Sequence, residues 1–293
     1  MATRAANRRV RVRACAKINL SLGVGPARAD GYHQVRTVLQ AIDLHDTLTF
    51  TARPGPFTIA CGDEAVPTDS RNLIWKAAFE LSRAVGRSTV DGIEVRLDKR
   101  IPLAAGLGGG SADAAAALRA LATLWKVRLD SSGLSSVARL VGADVSFFLI
   151  GGAAYGSGRG DDLLPLADVR PFHVVLAKPG IGIATPAAYG WFDEDGGLQD
   201  APRALQAWPE AQLSVRNDLE PPVTRRHPVV AGLVEQLEQA GALAAAMSGS
   251  GSAVFGLFES GPRAARAARA VAAPGVQVLR ARTLGRREYW KMV

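Results

Sequence analysis

A lysine and an aspartate occupy positions in this 293-residue sequence where charge is unusual. Lys17 sits in the alternating apolar stretch "ACAKINL", and Asp144 in "LVGADVSFF", between a helix-ending glycine and an apolar run. Lysine and aspartate are rarely buried unless paired. Two readings follow: a structural salt bridge, or a catalytic pair in which Asp144 accepts a hydroxyl proton while Lys17 holds charge beside it.

A glycine cluster bears on that choice. In "IPLAAGLGGGSADAAAALRALATLW", Ile101–Trp125, the glycines at 106, 108, 109 and 110 run into an alanine-rich segment. Glycine lets successive backbone N–H groups face an anion, and the helix that follows adds the positive end of its dipole, a combination suited to phosphate. Ser111 offers a hydroxyl at the helix start. A plain tight turn capped by Ser111 is the other reading. No lysine follows the last glycine, as it would in a Walker-type loop. A second glycine loop, "MSGSGSAVFG" at Met247–Gly256, carries Gly249 and Gly251, which let its backbone come close to a ligand or to the first loop.

The turn "RADGYH" brings the aromatic Tyr32 and the imidazole of His33 together, which suits a planar, polar ligand; an ordinary exposed loop is the alternative. The four histidines, His33, His45, His173 and His227, have no metal-ligand spacing on a helix. Cys15 and Cys61 are too few for a disulfide framework or a structural zinc site, which fits a reducing cytoplasm. No apolar run approaches the roughly 18 residues that cross a bilayer, and the basic N-terminus lacks the apolar core of a secretory signal. The formal net charge of +8 would attract nucleic acid or, equally, an anionic small substrate. The arginines of "PRAARAARA", three and four residues apart, read as a solvated helix face.

These residues need elements to hold them. "VRVRACAKINLSLGV" alternates as two strands or one bent strand, and "TVLQAIDLHDTLTF" as another. "DSRNLIWKAAFELSRAVG" reads as a helix capped by Asp69 or Ser70 and stopped by Gly86. "GIEVRLDKRIP" is a strand delivering the chain into the glycine loop, and a helix runs from Ser111 to about Trp125. "SGLSSVARLVG" is a short helix, and "VSFFLIGGAAYGSG" reads as strand and turn. The pattern restarts at the buried strand "HVVLAKPG", which places a division between domains 1–166 and 167–293. A polar section around "WFDEDGGLQDAPRAL" follows, then the helix "PVVAGLVEQLEQAG", the strand "AVFGLF", the arginine helix and the strand "VQVLRART". Strands and helices alternate without βαβ regularity, so an α+β architecture of two domains is expected.

Together these stretches resemble the GHMP kinase superfamily, small-molecule kinases whose ATP lies on a loop of the form Pro-x-x-x-Gly-Leu-Gly-x-x-Ser. Here that loop is Pro102, Gly106, Leu107, Gly108 and Ser111. "AKINLSLGV", "RADGYHQVRTVLQAIDLHD", "RNLIWKA", "GADVSFFLIGGAAYGSG", "KPGIGIATPAAY", "RNDLE" and "MSGSGSAVFG" extend the likeness across nearly the whole chain, in the superfamily's order. The resemblance implies a two-domain GHMP kinase fold: an N-terminal domain like ribosomal protein S5 domain 2, a ferredoxin-like C-terminal domain, and an active site in the cleft between them. It implies ATP and Mg2+ as cofactors, no dedicated metal ligands being assigned, and a small alcohol bearing a cytidine diphosphate group as substrate. Lys17 and Asp144 then match the catalytic pair. Asn72, Pro102, Leu103, Ala104, Ala105, Gly106, Leu107, Gly108, Gly109, Gly110, Ser111 and Ala112 match the ATP site. Asn19, Tyr32, His33, Thr185 and Tyr189 match the substrate site, with Tyr32 and His33 at the cytosine.

Two positions depart from the pattern: Ala112 stands where a second serine is common, and Ser146 where proline is common. A cytoplasmic protein, monomeric or weakly dimeric, without nucleic-acid or membrane partners is expected. Other GHMP kinases, acting on homoserine, mevalonate or a sugar, remain the nearest alternative, and a basic nucleic-acid-binding module the distant one.

Overall fold

The computed structural model describes residues 8–127, 129–197 and 215–293. Strand β1 (Arg9–Ala27) and strand β2 (His33–Ala52) pair antiparallel along nearly their whole length. The two alternations read in the first stretch belong to one strand, whose register slips at Cys15/Lys17, Asn19/Ser21 and Val24/Ala27. Such slips bend a strand and re-aim its side chains. Strand β3 (Thr58–Cys61) and strand β4 (Ile93–Asp98) extend the sheet beyond β2, while strand β5 (Ala153–Ser157) pairs with an earlier part of β2 and with strand β6 (Asp162–Pro165).

Helices α1 (Leu73–Ala84), α2 (Gly109–Trp125) and α3 (Ser131–Val141) cover one side of this sheet. Helix α1 starts later than Asp69 or Ser70. Its cap is Asn72, whose side chain accepts from the Ile74 N–H at 2.9 Å, because Asp69 is already engaged with Arg71. Helix α2 begins at Gly109, two residues before Ser111; a left-handed Gly108 precedes it and no side chain caps it. The alanines from Ala114 to Ala117 are fully buried, so their small size lets α2 sit close under the sheet. "VSFFL" is part of a 3-10 helix (Ala143–Leu149), not a strand. Gly142 ends α3 just before it, and the strand starts only at Ala153.

The second half forms a four-stranded antiparallel sheet in the order β11-β7-β10-β9. Its strands are β7 (His173–Pro179), β9 (Ala244–Met247), β10 (Val254–Phe258) and β11 (Val276–Arg282). On β7, Val175 and Ala177 pack on helices, while Val174 and Leu176 face the first half, so both faces of the strand are buried. The helical layer holds α4 (Thr185–Glu194), α5 (Glu220–Arg226), α6 (Pro228–Gln239) and α7 (Gly261–Ala270). "WFDE", which opens the polar section, is the end of α4, and the remainder of that section from Leu198 lies outside the described residues up to residue 214. Helix α7 turns Ala264 and Ala267 inward, which leaves its arginines on the outer face.

Two short elements cross back to the first half. Strand β8 (Arg216–Asn217) pairs parallel with Ser21 and Leu22 of β1. Helix α8 (Arg286–Met292), absent from the sequence reading, buries Tyr289 in the first core, where its hydroxyl donates to the Phe148 carbonyl at 2.7 Å. A seven-residue segment is too short to show a helical period, and its anchor is tertiary. Tyr289→Phe is expected to cost about 1–2 kcal/mol, since it strands a buried carbonyl. A urea-unfolding midpoint equal to that of the unchanged protein would contradict this.

Candidate active site

Between the two halves lies a cleft of about 810 Å³. Alternation along β1 explains its floor. Ala16 and Ile18 turn into the core shared by the two sheets, so Lys17 and Asn19 point to the opposite face, into the cleft. The Lys17 ammonium donates to Asn19 Oδ1 at 2.5 Å and to the Gly106 carbonyl at 2.7 Å, and lies 3.8 Å from Asp144 Oδ2. Burial pushes the Lys17 pKa down, and Asp144 pulls it part of the way back. Lys17 is 4% exposed at the side chain and Asp144 39%. The pair is therefore no closed salt bridge: the lysine spends its short bonds on the loop and on Asn19, and the carboxylate stays open to the cleft.

The whole run from Pro102 to Ser111, with Leu103, Ala104, Ala105, Leu107, Gly109 and Gly110 among its members, lines the cleft. Gly108 has φ +70°, and a Cβ there would come within 2.9 Å of Phe148 and 3.1 Å of Lys17. Glycine there lets the start of α2 lie directly against Phe148 and Lys17. That helix is 17 residues long and has no side-chain cap, so its first N–H groups are open to an anion. Among the described residues no group of three or more His, Cys, Asp or Glu could hold a metal. Magnesium commonly needs one or two protein oxygens and takes the rest from phosphates and water. The Ser111 hydroxyl and the Asp144 carboxylate, both lining the cleft, fit that arrangement.

The opposite end is aromatic. The His33 ring lies 5.1 Å from the Tyr189 ring at a 31° tilt, and its Nε2 is 2.8 Å from Asp193 Oδ1. Burial, with Asp144 second, raises the Tyr189 pKa, so its phenol stays neutral. Tyr32 projects into the same space and is 52% exposed. Thr185 Oγ1 and Ser250 Oγ, 3.0 Å apart, join α4 to the second glycine loop.

Two residues named from sequence do not line the cleft. The Asn72 amide caps α1 and donates to the Pro67 carbonyl at 2.6 Å, and its neighbour Leu73 reaches the cleft instead. Ala112 points into the first core. Sequence reasoning missed Lys99, Arg159 and Asp193, all of which line the cleft. Lys99 stands in "LDKRIP", a pattern indistinguishable from a solvated strand end. Its ammonium is buried between Asp46 Oδ2 at 2.5 Å and Asp113 Oδ2 at 2.8 Å. Burial works against its charge, but the two carboxylates outweigh this and hold its pKa above the usual lysine value. Asp46 also accepts from the N–H groups of Arg100 and Ile101, which fixes the approach to the glycine loop.

The GHMP kinases N terminal domain model matches residues 72–152, and the GHMP kinases C terminal model residues 198–277. A protein of Nocardia farcinica called 4-diphosphocytidyl-2-C-methyl-D-erythritol kinase is 42% identical over 280 residues, covering 91% of each chain. A crystal structure of a 4-(cytidine 5'-diphospho)-2C-methyl-D-erythritol kinase superposes with TM-score 0.79 at 35% identity, over 94% of this chain and all of the other. A homoserine kinase from Cytophaga hutchinsonii, 19% identical, shares the fold with TM-score 0.72, over 99% of this chain and 98% of its own.

The buried triad makes stability depend on pH. Burial drives the Asp113 pKa up to about 8, against the pull of Lys99. Unfolded, the same carboxyl ionises near pH 4. The folded state thus holds a proton that the unfolded state has lost, so this contribution is full at low pH, falls as pH rises and is exhausted above about 8. Asp113→Asn keeps an acceptor for Lys99 and cannot ionise. Urea midpoints followed from pH 5 to 9 should therefore fall less steeply in the variant; equal slopes would refute a protonated Asp113.

Proposed function

The chain belongs to the GHMP kinases, in the family of 4-diphosphocytidyl-2-C-methyl-D-erythritol kinases, and we propose that it moves the γ-phosphoryl group of ATP to the 2-hydroxyl of that cytidine diphosphate alcohol. This is a step of the methylerythritol phosphate route to isoprenoid precursors. One observation carries the assignment of roles: a buried ammonium bonded to the glycine loop lies 3.8 Å from an open carboxylate.

The phosphates lie on the N–H groups of Gly108 to Ser111 at the start of α2. Asp144 accepts the proton of the substrate hydroxyl, whose oxygen forms the new bond to the γ-phosphorus while the bond to the leaving ADP oxygen breaks. Lys17, bridging Gly106 and Asp144, stabilises the charge that develops between donor and acceptor. Ser111 and Asp144 would help hold magnesium, which would supply further charge neutralisation. Lys17 does from β1 what a Walker lysine does from within its own loop.

Acceptor selection falls to the aromatic end. In the neutral tautomer whose Nε2–H donates to Asp193, the His33 Nδ1 is an acceptor, which suits the exocyclic amine of cytosine. Tyr32 and Tyr189 offer faces for the ring, which homoserine or mevalonate would leave bare. The domains divide near residues 166 and 167, between strand β6 and strand β7.

A panel of alcohols offered with ATP tests the reading. Phosphorylation of the cytidine diphosphate alcohol is expected; turnover of homoserine or mevalonate in its place would overturn it. Asp144→Asn should lower kcat by about 10²- to 10⁴-fold with KM values within a few-fold, as loss of a general base does. Near-normal turnover in that variant would remove Asp144 from the base role.

A further inference from the structure

Tyr32 is held at its backbone and loose at its ring. The Arg28 N–H donates to the Tyr32 carbonyl at 2.6 Å, and the Tyr32 N–H to Asp30 Oδ1 at 3.2 Å. The ring itself stands half out in the cleft, where a flexible aromatic would be a poor platform. What meets it is Arg159, whose guanidinium carbon lies 5.2 Å from the ring centroid. Arg159 is in turn fixed by the buried Asp161, with Nη2 to Oδ2 at 2.6 Å.

The loop that carries Arg159 is tied down on two sides. The Val35 N–H, two residues after His33, donates to the Gly158 carbonyl at 2.8 Å. From α3, Arg139 donates to the Asp161 carbonyl at 3.1 Å and to Asp162 Oδ1 at 3.0 Å. A chain of contacts thus runs from α3 through Asp161 and Arg159 to the ring of Tyr32. A planar guanidinium over an aromatic face holds that ring in one orientation, and the attraction strengthens when water is excluded from the pair.

Resting on the proposed function, we infer that Arg159 is a positioning residue for substrate selection: it fixes the Tyr32 ring so that the pyrimidine of the cytidine diphosphate alcohol meets a preset stacking surface. The arginine acts through the tyrosine. It has no part in phosphoryl transfer, and its influence falls on acceptor binding alone.

Steady-state kinetics on five variants, four single and one double, test this. Arg159→Met should raise KM for the cytidine diphosphate alcohol about 5- to 20-fold, with kcat and the KM for ATP within about twofold. Arg159→Lys, which keeps a cation but loses the planar fork, should recover part of that loss, and Asp161→Asn should show a smaller rise of the same kind. In a Tyr32→Leu background the Arg159→Met change should add less than about twofold, since its only route is already removed. If the two losses multiply instead, the guanidinium binds the substrate directly and the inference is wrong. An unchanged acceptor KM in Arg159→Met, in a protein whose parent turns over normally, overturns the inference while leaving the function standing. A parent that neither phosphorylates this alcohol nor binds cytidine diphosphate by calorimetry overturns both.

Discussion

Two glycine loops meet backbone to backbone, and the cleft is organised around that contact. A Cβ on Gly106 would lie 1.9 Å from the Ser248 carbonyl, and Gly106 has φ +72°, so no other residue serves there without moving one loop. The Gly106 carbonyl accepts from both Ser248 Oγ at 3.0 Å and Lys17 Nζ at 2.7 Å. Asn19 closes the ring, its N–H donating to Ser248 Oγ at 3.3 Å and its Oδ1 accepting from Lys17. Behind the second loop, Asn217 on β8 donates to the Met247 and Gly249 carbonyls at 2.8 and 2.7 Å. Four distant stretches of chain are thus locked around one ammonium group.

That lock settles a problem of charge. A buried ammonium is tolerated only when its donors are satisfied and an opposite charge is near. Lys17 gives two donors to neutral oxygens of the lock and directs its charge at Asp144 across 3.8 Å. Because the neutral partners hold it in place, the carboxylate need not, and Asp144 keeps its oxygens for the cleft. Lys99 presents the opposite case: its ammonium is held between the carboxyl groups of Asp46 and Asp113 within hydrogen-bond distance, an arrangement that anchors the entry to the loop.

The sequence announced the parts of this site that depend on local pattern. Glycines before an alanine helix, an alternating strand with a lysine in it, and an aspartate beside apolar residues are all legible at short range. The α+β character was legible for the same reason, since β1, α1, β4 and α6 each carry a clear period. What stayed hidden depends on distant partners. Arg159 and Lys99 look like solvated residues until Tyr32, Asp46 and Asp113 are brought beside them. The run "VSFFL" has strand composition, yet the short stretch from Ala143 to Ile150 is closed off by Gly142 on one side and Gly151 and Gly152 on the other, and it folds into 3-10 turns. Helix α8 is set by the pocket for Tyr289, which lies some 140 residues away in sequence.

The two departures from the superfamily pattern bear differently on the site. The side chain at position 112 is buried in the first core and does not line the cleft, so a hydroxyl there would be buried away from the phosphates. Alanine fits that core without a polar atom to satisfy. Ser146, by contrast, is buried with no partner for its hydroxyl, an arrangement that costs about 1–3 kcal/mol in typical proteins. That cost falls on the 3-10 turn behind Asp144 and leaves the carboxylate in the cleft. Neither change touches the N–H groups of Gly108 to Ser111. On the proposed reading, phosphate held through backbone tolerates side-chain drift at the edges of the loop, while base selection through Tyr32, His33 and Arg159 does not.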